Sequence, residues 1–152
     1  MKLDCDVLIV GAGISGISSA VHLKRQCPKK RFIMIEARKN IGGTWDLFKF
    51  PGIRTDSDMF TYAFDFKPWQ NSNAFAPGDA LQKYMHEVIT DYDLLKNLRC
   101  DRKVTDVSWS SKKKFWTATI DHDGKQETIR SRFIHFCSGY YSYDKPYNPP
   151  DR

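Results

Sequence analysis

The chain has 152 residues and a formal charge of +6, enough for one domain able to bury roughly 68–70% of its unfolded surface. Apolar residues at 41% and charged residues at 28% exclude a disordered or fibrous chain. Lys and Arg are spread along the whole length instead of forming one arm, which argues against nucleic acid and suits a phosphate-rich small ligand.

The first apolar run, residues 7–10, meets glycine at once and is too short for a signal peptide or a transmembrane segment. A soluble, cytoplasmic protein is expected. Cys5, Cys27, Cys100 and Cys137 form no Cys-x-x-Cys pair, so neither a metal site nor a dithiol redox motif is expected, and the thiols read as reduced and structural.

Residues 5–10, Cys-Asp-Val-Leu-Ile-Val, have the almost continuous apolar pattern of a strand buried on both faces of a parallel sheet. Helical spacing follows from Ile14 to Gln26 through Ile14, Ile17, Val21 and His22 or Leu23, and Pro28 stops it. Residues 31–36, Arg-Phe-Ile-Met-Ile-Glu, form a second strand, so the opening is a β-α-β unit of about thirty residues. Residues 40–78 are broken by Gly42-Gly43, Pro51-Gly52, Pro68 and Pro77-Gly78 and read as one long functional loop. Within it, the alternation from Phe60 to Phe66 suggests a half-buried extended segment, its aromatics serving the core. Residues 80–90 place Leu81, Tyr84, Met85, Val88 and Ile89 on one helical face, with Asp79 as the N-cap.

Short strands are then expected at 98–101, 104–109, 115–121 and 127–130, with Asp123-Gly124 as a tight hairpin turn. Lys112-Lys113-Lys114 falls between two of them and reads as a solvated hairpin. Residues 133–137 restore a buried strand that ends in Ser138-Gly139. The chain thus reads as one domain over 1–143, followed at 144–152 by a linker.

Gly11-Ala-Gly13-Ile-Ser15-Gly16 matches Gly-x-Gly-x-x-Gly directly after a strand and at the start of a helix, the context that makes this pattern specific for pyrophosphate. Gly11 permits the turn, Gly13 lets backbone approach the phosphates, and Gly16 allows close helix packing. The free N–H groups at the helix start hold the anion. Glu36 stands twenty residues after Gly16, where a carboxylate accepts hydrogen bonds from adenosine ribose hydroxyls and would repel a 2'-phosphate. The bound nucleotide is therefore FAD or NAD, not NADP. An NAD-binding dehydrogenase module would keep these residues but leave the run from Gly42 to Asp58 unexplained.

That run, Gly-Gly-Thr-Trp-Asp-Leu-Phe-Lys-Phe-Pro-Gly-Ile-Arg-Thr-Asp-Ser-Asp, together with Phe66-Lys-Pro-Trp69 and 137–144, strongly resembles the class B flavin monooxygenases. Among these it is most similar to Baeyer-Villiger enzymes of the ethionamide-activating type. Thr55 stands where that family has serine. The resemblance implies an α/β fold: a Rossmann-like FAD-binding domain with an inserted antiparallel β-meander, part of a flavoprotein with two dinucleotide-binding domains.

It also implies that Gly11, Gly13, Ser15, Gly16, Glu36, Gly43, Thr44, Trp45, Asp46 and Leu47 hold FAD. Asp56 would lie near the isoalloxazine, Val104 would offer backbone groups to the adenine, and Arg54 and Asp56 would face the nicotinamide and act in catalysis. NADPH would reduce FAD, and O2 would add to give a peroxyflavin. That species would insert oxygen into a ketone or oxidise a soft sulfur or nitrogen of a small organic substrate, such as a thio compound. No second Gly-x-Gly-x-x-Gly for NADPH is present, so the main NADPH site is expected in a domain beyond the linker. The alternative is a truncated, non-catalytic flavin-binding domain or remnant.

Overall fold

The structure, a computed structural model, describes residues 2–141 and 147–150. The boundary expected between 143 and 144, and the end of the 137–144 motif, lie outside the described residues. Strand β1, Cys5–Val10, feeds helix α1, Ile14–Gln26, and returns as β2, Phe32–Ile35. β1 and β2 pair in parallel, Val7 opposite Phe32 through Val10 opposite Ile35. All four side chains of β2 are buried, as its unbroken apolar run requires.

Residues 40–78 are more ordered than a loop. They hold two single-turn helices, α2 at Thr44–Leu47 and α3 at Met59–Tyr62. Asp58 caps α3, its carboxylate accepting from the Thr61 N–H at 3.0 Å. This corrects the extended reading of residues 60–66: Phe60 sits on a helix and is exposed, while Phe64 is buried and stacks on Phe66 and Tyr84. Helix α4, Gly78–Asp91, buries Leu81, Tyr84, Met85, Val88 and Ile89 as its periodicity predicts, but its N-cap is Pro77. Asp79 lies inside the first turn, and its carboxylate accepts from the adjacent Ala80 N–H.

A 3-10 turn, Leu95–Asn97, leads into β3, Leu98–Arg99, which pairs in parallel with β2. The chain then crosses to the other side through β4, Lys103–Ser110, β5, Phe115–His122, and β6, Lys125–Phe136. Asp123 and Gly124 join β5 to β6 with φ of 52° and 76°, the paired positive values of a two-residue type I′ hairpin. The sheet order is β3-β2-β1-β6-β5-β4.

The two strands expected at 127–130 and 133–137 are one strand. Residues 125–131 of β6 pair antiparallel with β5, and residues from 131 onward pair in parallel with β1. The pairing with β5 stops at Ser131, so the expected burial of the following stretch also fails: Phe133 is 62% and Phe136 57% exposed.

Two cores result. Ile9, Ile17, Val21, Met34, Leu81, Met85 and Val88 gather between the parallel strands, α1 and α4. Leu8, Ile33 and Ile35 meet Ala118, Ile120 and Ile129 of the meander in the second. No helix among the described residues is long and apolar enough to cross a membrane.

Candidate functional site

The site lies where β1 and β2 end beside the start of α1. Gly11 has φ of +107°, and a Cβ there would stand 2.4 Å from the Cys137 carbonyl oxygen. A Cβ on Gly16 would stand 1.9 Å from the Gly11 carbonyl oxygen. Both glycines are demanded by the protein's own packing, as the motif predicts. Gly13 differs: a Cβ there would find its nearest neighbour, the Gly43 Cα, at an ordinary 3.6 Å. Nothing in the described protein forbids a side chain at Gly13, so the packing that demands Gly11 and Gly16 does not demand Gly13.

Gly13 is the N-cap of α1 and offers no side-chain cap. The first N–H groups of α1, including that of exposed Ser15, have no carbonyl of their own helix to bond. They are available to an anion beside this turn.

Glu36, 7% exposed at the end of β2, orders the neighbourhood. Its Oε2 accepts from the Ala12 N–H at 2.8 Å and its Oε1 from the Arg38 N–H at 3.0 Å. The carboxylate is thereby locked against the first glycine turn, and its remaining lone pairs stay open to hydroxyl donors.

The second glycine turn is brought against the first. The Gly42 N–H donates to the Ala12 carbonyl at 2.9 Å, and a Cβ on Gly43 would stand 3.3 Å from the Gly13 Cα. Gly42, with φ of +111°, also faces the Gln82 amide, 2.0 Å from where its Cβ would be. The Gln82 Nε2 in turn donates to the Ile41 carbonyl at 2.7 Å. Gly43 starts α2, so Thr44, Trp45, Asp46 and Leu47 follow directly from the second glycine turn. Trp45 packs partly on the first core and meets Tyr62 edge-on.

Val104 lies on β4 opposite Ile120 and packs partly against the second core, and the segment before it is tied to Glu36. The Glu36 N–H donates to the Arg99 carbonyl, and the Arg102 N–H to the Glu36 carbonyl, both at 2.9 Å. Arg54 and Asp56 are exposed on either side of buried Thr55. Thr55 fixes that segment, its N–H donating to the Ala76 carbonyl at 2.9 Å and its Oγ1 accepting from the Ala76 N–H at 3.0 Å. The Gly78 N–H donates to the Ile53 carbonyl at 3.0 Å, so α4 links the Arg54 segment to the second glycine turn through Gln82.

Sequence reasoning passed over Arg38, Thr55 and Gln82 as site-building residues. Arg38 follows Glu36 by two positions and precedes Asp46 by eight, a spacing that points to no contact until the loop is folded. Burial raises the Cys137 and Cys100 thiols above their usual range, and the Glu36 charge raises Cys100 further. Among the described residues no cluster of three or more His, Cys, Asp or Glu side chains could hold a metal.

The model of a family described as an NAD(P)-binding Rossmann-like domain matches residues 9–87. The chain is 49% identical over 144 residues to the FAD-containing monooxygenase EthA of Mycolicibacterium smegmatis, covering 95% of this chain and 29% of that protein. It is 47% identical to a probable FAD-binding monooxygenase AlmA of Acinetobacter baylyi, covering 98% and 30%. The solved structure of OTEMO in complex with FAD and NADP superposes with a TM-score of 0.84 at 26% identity, over 95% of this chain and 27% of that one. An oxidized steroid monooxygenase bound to NADP gives a TM-score of 0.81 at 27% identity, over 97% and 29%. The chain therefore spans less than a third of the length of these proteins.

Proposed function

Since the chain belongs to the NAD(P)-binding Rossmann-like domain family, we propose that it is the FAD-binding part of an NADPH-using flavin monooxygenase. One observation carries the reading. Two glycine turns face each other, Gly13 against Gly43, beside a buried carboxylate, Glu36, that is already fixed to the first turn. That arrangement fits a dinucleotide whose second half extends past the adenosine. The similarity to FAD-containing monooxygenases along nearly the whole chain supports FAD over NAD.

In this reading Gly13, Ser15 and Gly16 place backbone N–H groups on the pyrophosphate, aided by the α1 dipole. Glu36 accepts from the adenosine ribose, and Val104 offers its backbone to the adenine. Gly43, Thr44, Trp45, Asp46 and Leu47 line the path toward the isoalloxazine, and Arg54 and Asp56 face the nicotinamide side. Residues 1–143 form the FAD-binding domain, and 144–152 lead toward an NADPH domain. Bound FAD supplies a two-electron acceptor able to activate O2. The protein's share is to bind, orient and keep water from that chemistry. The substrate class is a small ketone or a compound with a soft sulfur or nitrogen, and the protein works in the cytoplasm.

The test is to saturate the protein with FAD, remove oxygen and add NADPH. Flavin bands that appear on binding support the FAD reading, and since in this reading the main NADPH site lies beyond residues 144–152 they should persist when NADPH is added; bleaching would contradict that placement. Bands that still persist in a longer chain that includes an NADPH domain favour the second reading, a flavin-binding domain without turnover. Failure to take up FAD refutes both.

A further inference from the structure

We infer that Arg38 is a positioning residue that holds the second glycine turn in register with the first, and so sets affinity for the flavin half of the dinucleotide rather than the adenosine half. The inference rests on the FAD reading above and deepens it.

Arg38 is tied through its backbone N–H, its carbonyl and both terminal guanidinium nitrogens. Its N–H donates to Glu36 Oε1 at 3.0 Å, and its carbonyl accepts from the Asp101 N–H at 3.1 Å. Its guanidinium spans the second turn: Nη1 donates to the Gly43 carbonyl at 2.9 Å, and Nη2 pairs with Asp46 Oδ2. One planar fork thus grips a carbonyl and a carboxylate at once, a geometry that lysine does not offer. The pair is sheltered, the Arg38 side chain 32% and the Asp46 side chain 13% exposed.

Gly42, bonded to the Ala12 carbonyl, and Gln82, bonded to the Ile41 carbonyl, anchor the start of the second turn and Trp45 packs partly on the first core, while the Gly43 carbonyl and the Asp46 carboxylate are gripped by Arg38. Helix α2 has four residues and buries none of them, and a single helical turn does not persist by itself. The Gly43 carbonyl that Arg38 grips is also the one that starts α2, accepting from Asp46 N–H at 3.1 Å and Leu47 N–H at 3.0 Å. The Asp46 side chain also accepts from Asn40 Nδ2 at 3.4 Å, so without Arg38 a largely buried carboxylate loses its cationic partner beside a site meant for an anion. Glu36, by contrast, keeps its bond to Ala12 whatever the Arg38 side chain does. The adenosine side is built into the strand ends, and the fork holds the Gly43 and Asp46 groups on the flavin side.

The experiment measures FAD and ADP affinities by titration of wild type, Arg38→Met, Arg38→Lys, Asp46→Asn and the double variant Arg38→Met/Asp46→Asn. Arg38→Met is expected to weaken FAD about tenfold or more while ADP stays within about twofold. Arg38→Lys, able to keep one of the two contacts, should fall between. The double variant should lose no more than Arg38→Met alone, since both act through one pair. Equal FAD affinity in wild type and Arg38→Met overturns the inference, as does a parallel loss of FAD and ADP, which would mark a general stability effect. Wild type that takes up ADP but no FAD refutes the functional reading itself, and this inference with it.

Discussion

The glycines of the first turn separate by what presses on them. Gly11 and Gly16 are closed in by the Cys137 and Gly11 carbonyls, and Gly13 is not. Gly11→Ala should therefore lower stability by about 1–3 kcal/mol, because its φ of +107° and its close approach both resist a Cβ. Urea unfolding reads that loss. Gly13→Ala should unfold at an unchanged urea midpoint yet bind FAD more weakly; a clear stability loss there would mean that the turn is tighter than the geometry shows. Glu36 carries both kinds of constraint. Glu36→Ala strips the buried Ala12 N–H of its acceptor and should cost stability as well as affinity. Glu36→Gln keeps an acceptor oxygen and should weaken FAD binding by about 1–3 kcal/mol with a smaller loss of stability. Flavin fluorescence titration beside urea unfolding separates the two.

Elements that bury a face were legible from the sequence, and elements held by polar contacts were not. β1, α1, β2 and α4 were evident because their apolar spacing is the cause of their folding: α4 buries the five residues that its period selects. α2 buries nothing and α3 only Met59, so no hydrophobic period announces them. Their signals are a glycine pair and a capping aspartate. α3 offers a pH test of that view. The Thr61 hydroxyl, foremost among its partners, holds Asp58 below the usual 3.8. A lowered folded value means that the cap stabilises above the unfolded pKa and that this contribution is lost as pH falls through the folded one. Asp58→Asn should remove that part of the acid dependence, seen as a smaller stability difference between pH 5 and pH 3 than in wild type; an unchanged difference would show that the cap contributes nothing. β6 was read as two strands because its pattern changes at Ser131, where the antiparallel partner β5 stops and only the parallel partner β1 continues.

At the scale of the whole molecule, the same change of partner leaves β6 with an open edge beyond Ser131 among the described residues, with Phe133 and Phe136 exposed beside it. Open apolar edges invite self-association. Phe133→Lys should reduce concentration-dependent light scattering without altering FAD affinity, and undiminished scattering would show that this edge is not the sticky surface. The second core gives a further handle. Burial pushes the Cys5 thiol from 9.0 up to about 11, so the stability this buried neutral thiol contributes is present below pH 9.0 and lost as pH rises toward about 11. Cys5→Ser should flatten that alkaline loss. The account as a whole stands on the two glycine turns and Glu36 forming one dinucleotide cradle. The most direct measurement is titration of the wild-type protein with FAD, followed by flavin fluorescence, with ADP and 2'-phospho-ADP as competitors. Saturable uptake displaced by ADP, and far less well by the 2'-phosphate, is the expected result. Folded protein that leaves free flavin fluorescence unchanged, or that binds 2'-phospho-ADP as tightly as ADP, contradicts it.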